Sequence, residues 1–358
     1  LTELPGTGTA EWVLEPGDRV AVTGSAGFIG SAIVRALIDR GARVVALLEP
    51  GGSTANVDGL DLERVAADVR DRAALDGALA GTRAVFHTAA LFQFWSRRPE
   101  DFYDVNVDGT RNVISAALKA GCERIVYTST VATIGLHQGR DHPADERVPA
   151  RIHHLFGFYK QSKYVAEHEA LRAAAEGAPV ALVHPTFPLG PRDVRPTPTG
   201  RVLLDFLNGR MPGYVDTSMN VVHVDDLARG HLLVLERGRS GRSYILGGEN
   251  LSMRTMLDHA ARITGLPAVS RRWPAAIGVA VGHVSQLVEG RLLGREPRVS
   301  LEAARMAREH MVFDDSRARS ELGYTSRPAT EAIRDSARWF VDHHYVHPER
   351  ARRIRWVD

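Results

Sequence analysis

The stretch Asp18-Arg-Val-Ala-Val-Thr-Gly-Ser-Ala-Gly-Phe-Ile-Gly30 restricts the fold more than any other part of the chain. A short apolar strand, Arg19 to Thr23, runs into Gly24, Gly27 and Gly30, and a helix is predicted from about Ser31 to Arg40. Each glycine has a task that a larger residue would obstruct. Gly24 makes the tight turn, Gly27 lets the backbone approach a pyrophosphate, and Gly30 lets helix pack closely on strand. The helix N-terminus adds unpaired N–H groups and a positive dipole end for that pyrophosphate. Phe28 and Ile29 belong to the same dinucleotide-binding turn. In a chain with 33 glycines the spacing alone is weak, and the strand before it and helix after it give it meaning.

The chain continues in the same rhythm. Strands are predicted at Arg43–Leu48, Leu62–Ala66, Ala84–Ala90, Arg124–Thr130 and Pro179–Pro185. Helices are predicted between them: Ala73–Ala80 capped by Asp71, Asn106–Ala120 and Phe158–Ala175. Continuous apolar runs such as Arg43-Val-Val-Ala-Leu-Leu48 suit parallel strands buried on both faces. The alternation predicts an α/β fold, a doubly wound parallel (Rossmann) sheet.

After Pro185 a proline-rich loop leads to a strand at Asn220–Val224 and a helix at Asp225–Arg237, both expected to return to the sheet. Helices at Arg254–Thr264, Ala276–Leu293 and Leu301–Glu309 predict a smaller, mainly helical C-terminal lobe, and Glu331–His343 closes the chain. The expected division is an extension at 1–17 and a nucleotide domain at 18–185 with 220–248 returning to it. Residues 186–219 and 249–358 are left for a substrate lobe. Ligands on such sheets sit beyond the carboxyl ends of the strands.

Composition narrows the class. The 358 residues can bury a large core, and a net charge of +2 gives no field that would imply nucleic acid. Cys122 stands alone, so no internal disulfide or cysteine metal cage is possible, which fits a reducing cytoplasm. The N-terminus lacks a signal-peptide pattern, and no apolar run reaches the ~20 residues that span a bilayer. The nearest, Ala275–Val281, reads as a buried helix, with an amphipathic surface contact left open.

Tyr159 and Lys163, four apart on a predicted helix, share a face. An ammonium beside a phenol favours the phenolate and lowers its pKa, which suits Tyr159 as a proton shuttle. Thr130 or Ser129, at a neighbouring strand end, can supply a hydroxyl to a substrate oxygen.

Thr23-Gly-Ser-Ala-Gly-Phe-Ile-Gly30, Asp68-Val69, Asn106, Thr128-Ser-Thr130, Tyr159-Lys-Gln-Ser-Lys163 and His184-Pro185 together resemble the extended short-chain dehydrogenase/reductase family. Two of its groups are nearest: the dihydroflavonol-reductase-like group and the hopanoid-associated sugar epimerase group. The latter is resembled by Pro196-Thr-Pro-Thr-Gly200, Arg210-Met-Pro-Gly-Tyr-Val-Asp-Thr217 and Tyr244-Ile-Leu-Gly-Gly-Glu-Asn250. The resemblance implies that Tyr159 is the catalytic acid/base, that Lys163 tunes it while bonding a nicotinamide ribose, and that Thr130 replaces the usual serine. It also implies that Asp68 accepts from the adenine amine with Val69 covering the ring. Thr88, Ala89 and Ala90 would line the cofactor, Pro185 would lie near the nicotinamide, and Asn106 would support the site from behind. A homodimer built on the Asn106–Ala120 and Phe158–Ala175 helices is implied as well.

Two departures from the family pattern matter. Reductases of this type carry an arginine for the 2′-phosphate of NADP at the end of the second strand. Here that position is Glu49, which favours NAD over NADP, and Arg43 is a poor substitute. Nucleotide-sugar epimerases carry an Arg-Asp pair before the residue matching His223, where this chain has Met219-Asn220. Arg192, Arg195 or Arg201 could compensate. Phe92, Phe94, Trp95 and Phe187 fall near the expected mouth, where aromatics could stack on a ring or simply pack; Phe92, Trp95, Phe187 and Ser129 are the candidate substrate contacts.

His343-His344-x-x-His347 lacks an accompanying carboxylate motif, so no metal is expected, and the arginine-rich tail reads as solvated or interfacial. The leading reading is a sugar or sugar-nucleotide epimerase that uses bound NAD to move a hydride to and from a secondary alcohol. The alternative is a ketone reductase or alcohol dehydrogenase on an apolar ring substrate. A third reading, from another class, is a non-catalytic nucleotide sensor. It would expect Tyr159 or Lys163 to be missing, and both are present.

Overall fold

A computed structural model describes residues 12–137, 142–150, 152–292, 294–295, 297 and 300–357. Strands β1 (Arg19–Thr23), β2 (Arg43–Leu48), β3 (Glu63–Ala66), β4 (Ala84–His87), β5 (Arg124–Thr128) and β6 (Val180–Pro185) follow the apolar runs. With the later β10 (Ser243–Leu246) they form a seven-stranded sheet in the order β10-β6-β5-β4-β1-β2-β3. Every neighbouring pair in it is parallel.

Side chains alternate across the sheet, and the two faces build separate cores. Val20 and Val22 of β1 pack with helices α1 (Phe28–Asp39) and α7 (Val224–Arg237). Ala21 packs on the other face with α2 (Arg72–Ala78), α4 (Gly109–Lys119) and α5 (Phe158–Ala175). Asp71 caps α2 as expected, accepting from Ala74 N at 3.0 Å. Helix α1 begins three residues earlier than predicted, because Gly27 is extended and acts as its N-cap. Strand β4 stops at His87, since Thr88–Ala90 leave the sheet for the glycine turn. Between the short α3 (Glu100–Tyr103) and α4, residues Asp104–Asp108 form a π-helical turn.

The smaller lobe is mainly helical, with α6 (Pro198–Leu207), α8 (Met253–Thr264) and α12 (Ala329–Asp342) around its own core. It also contains sheet. Strand β9 (Ser218–His223) pairs with β7 (Phe187–Leu189), antiparallel with β11 (Glu249–Ser252), and with β13 (His310–Met311). Two short strands, β8 (Tyr214–Val215) and β12 (Arg272–Trp273), pair nearby. The segment expected at Asn220–Val224 to rejoin the main sheet therefore lies in this second sheet. The chain returns through α7 and β10 instead, because all six residues of β9 are buried between lobe elements.

Helix α9 (Ala275–Ser285) and a π-helical turn at Gln286–Leu292 correct another expectation. Ala275–Val281 was expected to be buried, yet among the described residues of α9 only Gly282 is. Its support is the short α10 (Leu301–Met306) on one side alone. Helices α11 (Ser316–Leu322) and α13 (Pro348–Ala351) complete the described elements. Of the expected extension, residues 1–11 lie outside the described residues. Trp12 and Leu14 are buried in the core, and Trp12 Nε1 donates to Glu123 at 2.6 Å.

Candidate active site

The glycine turn forms a backbone-walled cradle. Gly24 has φ +64°, and a Cβ there would lie 2.8 Å from Ala89 N. Thr88 Oγ1 donates to Thr23 O at 2.6 Å and Ala89 N donates to Thr23 Oγ1 at 3.1 Å, which draws the ends of β1 and β4 together. Ala90 follows at the same partly exposed edge. A Cβ on Gly30 would overlap Gly24 O, so α1 can approach only as glycine. Ser25, which the sequence reading passed over, donates to Leu47 O at 2.9 Å and anchors the loop to β2. No side chain caps the start of α1, so its first N–H groups face the turn, and Phe28 and Ile29 pack back on the core. This cradle fits a dinucleotide pyrophosphate.

Farther along the sheet, Glu49 is exposed just past β2. Asp68 is held by Arg70, with Arg70 Nη2 donating to Oδ2 at 2.6 Å, and that pairing holds its carboxyl below the usual range. This ion pair was not foreseen; Arg70 also feels Glu49, so the three groups form one charged edge. Val69 packs against Gly109, where a Cβ would lie 2.7 Å from Val69 Cγ2.

Helix α5 carries Tyr159 and Lys163, both buried. The Thr130 side chain is the polar group that acts on the Tyr159 hydroxyl. Burial pushes the phenol above its ordinary range, and Thr130 pulls weakly the other way. This reverses the expectation that Lys163 lowers it. Lys163 Nζ donates instead to Tyr127 OH at 2.9 Å and to Thr128 O at 2.8 Å, and burial brings its own pKa down to about 7. An ammonium so directed, and so easily neutralised, exerts little pull on Tyr159.

Thr130 is placed by what surrounds it. Its Oγ1 accepts from Ala132 N at 3.2 Å, and its carbonyl accepts from Thr133 Oγ1 at 2.6 Å and from His184 Nδ1 at 3.1 Å. Ser129, expected at the substrate, turns away: its hydroxyl donates to Glu167 Oε2 at 2.5 Å, and the residue is buried. Thr133 Oγ1 lies 2.6 Å from the same carboxylate. The sequence reading missed Glu167, although its position four residues after Lys163 puts it on the same helix face.

Asn106 sits in the π-helical turn, a distortion frequent at functional sites. Its Oδ1 accepts from Leu91 N at 2.8 Å and its Nδ2 donates to Ser162 Oγ at 2.9 Å. Ser162 Oγ in turn donates to Tyr159 O at 2.9 Å. Behind it, His87 bridges Thr23 and Thr110 at 2.8 and 3.0 Å, with burial taking its pKa down to about 3. A neutral histidine thus links the cradle to α4, and Thr110 Oγ1, donating to Asn106 O at 2.6 Å, carries the connection on to Ser162 of the catalytic helix.

The mouth is aromatic. The Phe92 ring lies 4.8 Å from that of Tyr159, with Phe94 edge-on at 6.0 Å, and Trp95 lies beside Gly290. A pocket is lined by Val131, Ala132, Ile134, Leu155 and Met311 together with Lys160 and Glu309, which pair at 3.1 Å. Phe187 does not join this mouth; it packs on the core of the smaller lobe. Pro185 ends β6, buried opposite Leu246.

The smaller lobe closes on the start of α5. The carboxyl of Glu302 sits against Gly157 (φ +98°), so any Cβ there would overlap it, and Lys160 favours its charged form. Burial raises the Glu302 pKa to about 8. Arg305 lies 3.8 Å over the Phe156 ring.

The segment before His223 carries no cation. Met219 is buried, and Asn220 Nδ2 donates to Asn250 Oδ1 at 2.8 Å while its Oδ1 accepts from Gly248 N at 2.7 Å. Arg192 pairs with Asp225, and Arg201 Nε donates to Pro196 O at 3.2 Å. Of the terminal histidines, His343 stacks on Trp339 at 4.5 Å and His347 lies 2.9 Å from Arg210. The tail folds back, with Arg350 Nε donating to Leu207 O at 3.1 Å.

A glycine-walled cradle that leads through one buried network to a buried tyrosine beside Thr130 defines a Rossmann-type nicotinamide oxidoreductase. The sequence profile described as the NAD dependent epimerase/dehydratase family matches residues 20–247. The chain belongs to that family, within the extended short-chain dehydrogenases, and NAD is its cofactor. It is 41% identical over 92% of its length, and 96% of the relative's, to a Synechocystis sp. protein provisionally named dihydroflavonol 4-reductase. It is 32% identical to sterol demethylase protein B of Methylococcus capsulatus, over 89% of this chain and 97% of that one. Among solved structures, gox2253 is 42% identical with a TM-score of 0.82, covering 92% of this chain and 100% of the other. PA4631, a nucleoside-diphosphate-sugar epimerase from Pseudomonas aeruginosa, is 27% identical with a TM-score of 0.77, covering 92% and 99%.

Proposed function

We propose that this chain is an NAD-dependent oxidoreductase that interconverts a secondary alcohol and a ketone on an apolar, ring-bearing substrate. The observation that carries the choice is the Phe92 ring at 4.8 Å from Tyr159, with Phe94 edge-on to it at 6.0 Å. The second observation is Asn220, an amide committed to its own sheet where a diphosphate-binding enzyme needs a cation. The names dihydroflavonol 4-reductase and sterol demethylase protein B, borne by relatives, agree with a ring substrate. The family resemblance to sugar epimerases supports the other reading, in which the ketone is reduced again on its opposite face.

When bound, NAD would supply the hydride acceptor or donor; the Gly24–Gly30 cradle would hold its pyrophosphate, and Lys163 and Glu49 would hold its ribose hydroxyls. The Thr130 hydroxyl holds the reacting substrate oxygen. Tyr159 gives that oxygen its phenolic proton in reduction, and in oxidation it takes the alcohol proton as the phenolate, after releasing its own proton to solvent. The Leu91–Asn106–Ser162 bonds keep the first turn of α5 in place so that this transfer meets a fixed oxygen. Phe92 and Leu155 cover the apolar body of the substrate and exclude water. The lone, buried Cys122 suits a reducing, cytoplasmic setting, and the α4 and α5 helices suit a homodimer contact.

The test is a screen of cyclic apolar alcohols and nucleotide sugars, read as NADH formation and as epimer composition. Turnover of an apolar alcohol, with nucleotide sugars inert, is the expected result. Epimerisation of a nucleotide sugar without net NADH would replace this reading with the epimerase.

A further inference from the structure

Helix α9 and the π-helical turn after it present a surface that the redox site does not account for. Ile277, Val281, Val284, Leu287 and Val288 are exposed by 43%, 46%, 63%, 53% and 41%. Positions 277, 281, 284 and 288 recur at steps of four, three and four, so they form one face. The opposite side is seated: a Cβ on Gly282 would lie 3.2 Å from Ala304 Cβ and from Leu301 Cα of α10.

Charge marks the face further. From Ala275 to Val288 the chain has no Asp, Glu, Lys or Arg. Just outside that run stand Arg271 and Arg272 on one side and Arg291, Arg295 and Arg298 on the other, against Glu289 and Glu296. Arg97, exposed, donates to Gly294 O at 2.9 Å, and the side chain of the neighbouring Arg98 is 73% exposed.

A neutral aliphatic stripe with Arg97 at its Gly294 end and arginines on both sides of it in sequence matches an anionic lipid surface, with the acyl boundary taking the stripe and the headgroups drawn to that positive charge. It does not match a second copy of the chain. Five side chains fall far short of the roughly 20–30 residues per side of a stable protein interface. Two copies would also set arginine fringe against arginine fringe. No helix among the described residues is long and apolar enough to cross a membrane, so the element would lie in the interface plane.

The face is continuous with the mouth of the site. Gly290 lies against Trp95, a Cβ there falling 3.2 Å from the indole nitrogen, and Phe94 and Phe92 lead from Trp95 to Tyr159. We infer that α9 and its π-helical extension seat this protein on anionic bilayers and that Trp95, Phe94 and Phe92 pass a lipid-dissolved substrate to Tyr159. The second clause rests on the oxidoreductase reading; the first does not.

Flotation of the full chain with vesicles of phosphatidylcholine, alone or mixed with phosphatidylglycerol, tests it without substrate or turnover. The chain should float with the mixed vesicles, about ten-fold more than with phosphatidylcholine alone, and less at high salt. The double variant Val284→Glu, Leu287→Glu should float about ten-fold less while binding NAD as before. In a separate Leu287→Trp chain, tryptophan emission should shift to the blue when mixed vesicles are added. Tyr159→Phe should float like wild type, so a failed redox assignment and a failed lipid assignment are distinct results. Absence of flotation with mixed vesicles, or undiminished flotation of the double variant, overturns the proposal. So does conversion of a lipid-free dimer to monomer by the double variant, which would give the face to a second copy.

Discussion

On the nucleotide side, the cradle is built from neighbours in sequence: Gly24, Gly27 and Gly30 lie within one strand–turn–helix unit, closed by backbone contacts to Thr88 and Ala89. On the substrate side, the start of the catalytic helix is closed by Glu302 and Glu309, which reach Gly157 and Lys160 from far along the chain. The first arrangement is steric and has no ionisable member facing the pyrophosphate. The second is electrostatic, with a carboxyl buried at a lobe junction. The nucleotide half should therefore respond sharply to an added methyl group and little to pH, whereas the substrate half should respond to pH as well.

The largest effect should come where the halves meet. Tyr159→Phe removes the hydroxyl beside Thr130 and leaves the ring on Phe92. Turnover should fall by about 10² to 10⁴ with NAD affinity and melting temperature nearly unchanged. Steady-state kinetics and calorimetry on one preparation would show this; turnover at the wild-type rate would remove Tyr159 from the chemistry.

Next comes the steric half. Gly24→Ala places a methyl carbon 2.8 Å from Ala89 N in a backbone region that disfavours it by about 1–2 kcal/mol before any clash. NAD affinity should drop by roughly 10²-fold, from that strain plus the displaced β4 end. An unaltered titration would mean that the dinucleotide does not use this turn.

A smaller change tests the cofactor edge. Glu49→Arg sets a cation beside Arg70 and removes the carboxylate suited to ribose hydroxyls. The NAD to NADP preference should move by about ten-fold toward NADP, read by competitive titration. A preference that stays put would locate discrimination in Arg70 and Asp68 instead.

The electrostatic half is tested by Glu302→Gln. The folded pKa of Glu302 is about 8 against an ordinary 4.5, so the native state holds an extra proton between those values. Its contribution is complete below pH 4.5 and is lost as pH rises through 8. The melting temperature of the wild type should therefore fall relative to Glu302→Gln across that window, by about 2 °C for each kcal/mol lost. Parallel curves for the two proteins would show that the carboxyl does not titrate at the junction. His87, with a folded pKa of about 3 against an ordinary 6.5, adds a slope of opposite sign between those values, since there the unfolded state holds the extra proton. This slope is common to both proteins and cancels in the comparison.

The mildest expectation concerns assembly. Leu118 and Phe158, 46% and 48% exposed on α4 and α5, are consistent with a partner on that face. Light scattering should give twice the 39.2 kDa chain mass, and Leu118→Glu should shift it toward the monomer without altering the fold. A monomer in the wild type would leave that face to solvent.

Amino-acid order by itself determined the alternation of strands and helices, the glycine turn, the Asp71 cap and the full extent of α5. These depend on patterns within some twenty residues, where periodicity, capping and glycine chemistry act. It also brought Tyr159, Lys163 and Asn106 to one site, through motifs whose spacing on helices is local. Tertiary structure alone decided which way those groups point. Ser129 turned to Glu167, Lys163 to Tyr127 and Thr128, and Asp68 to Arg70, because a buried polar group takes whichever partner the fold brings within hydrogen-bond reach. The same holds at larger scale. The apolar run of α9 gave no sign of its exposure, and β9 none of the sheet it would join, since burial depends on what the rest of the chain leaves free to pack against it.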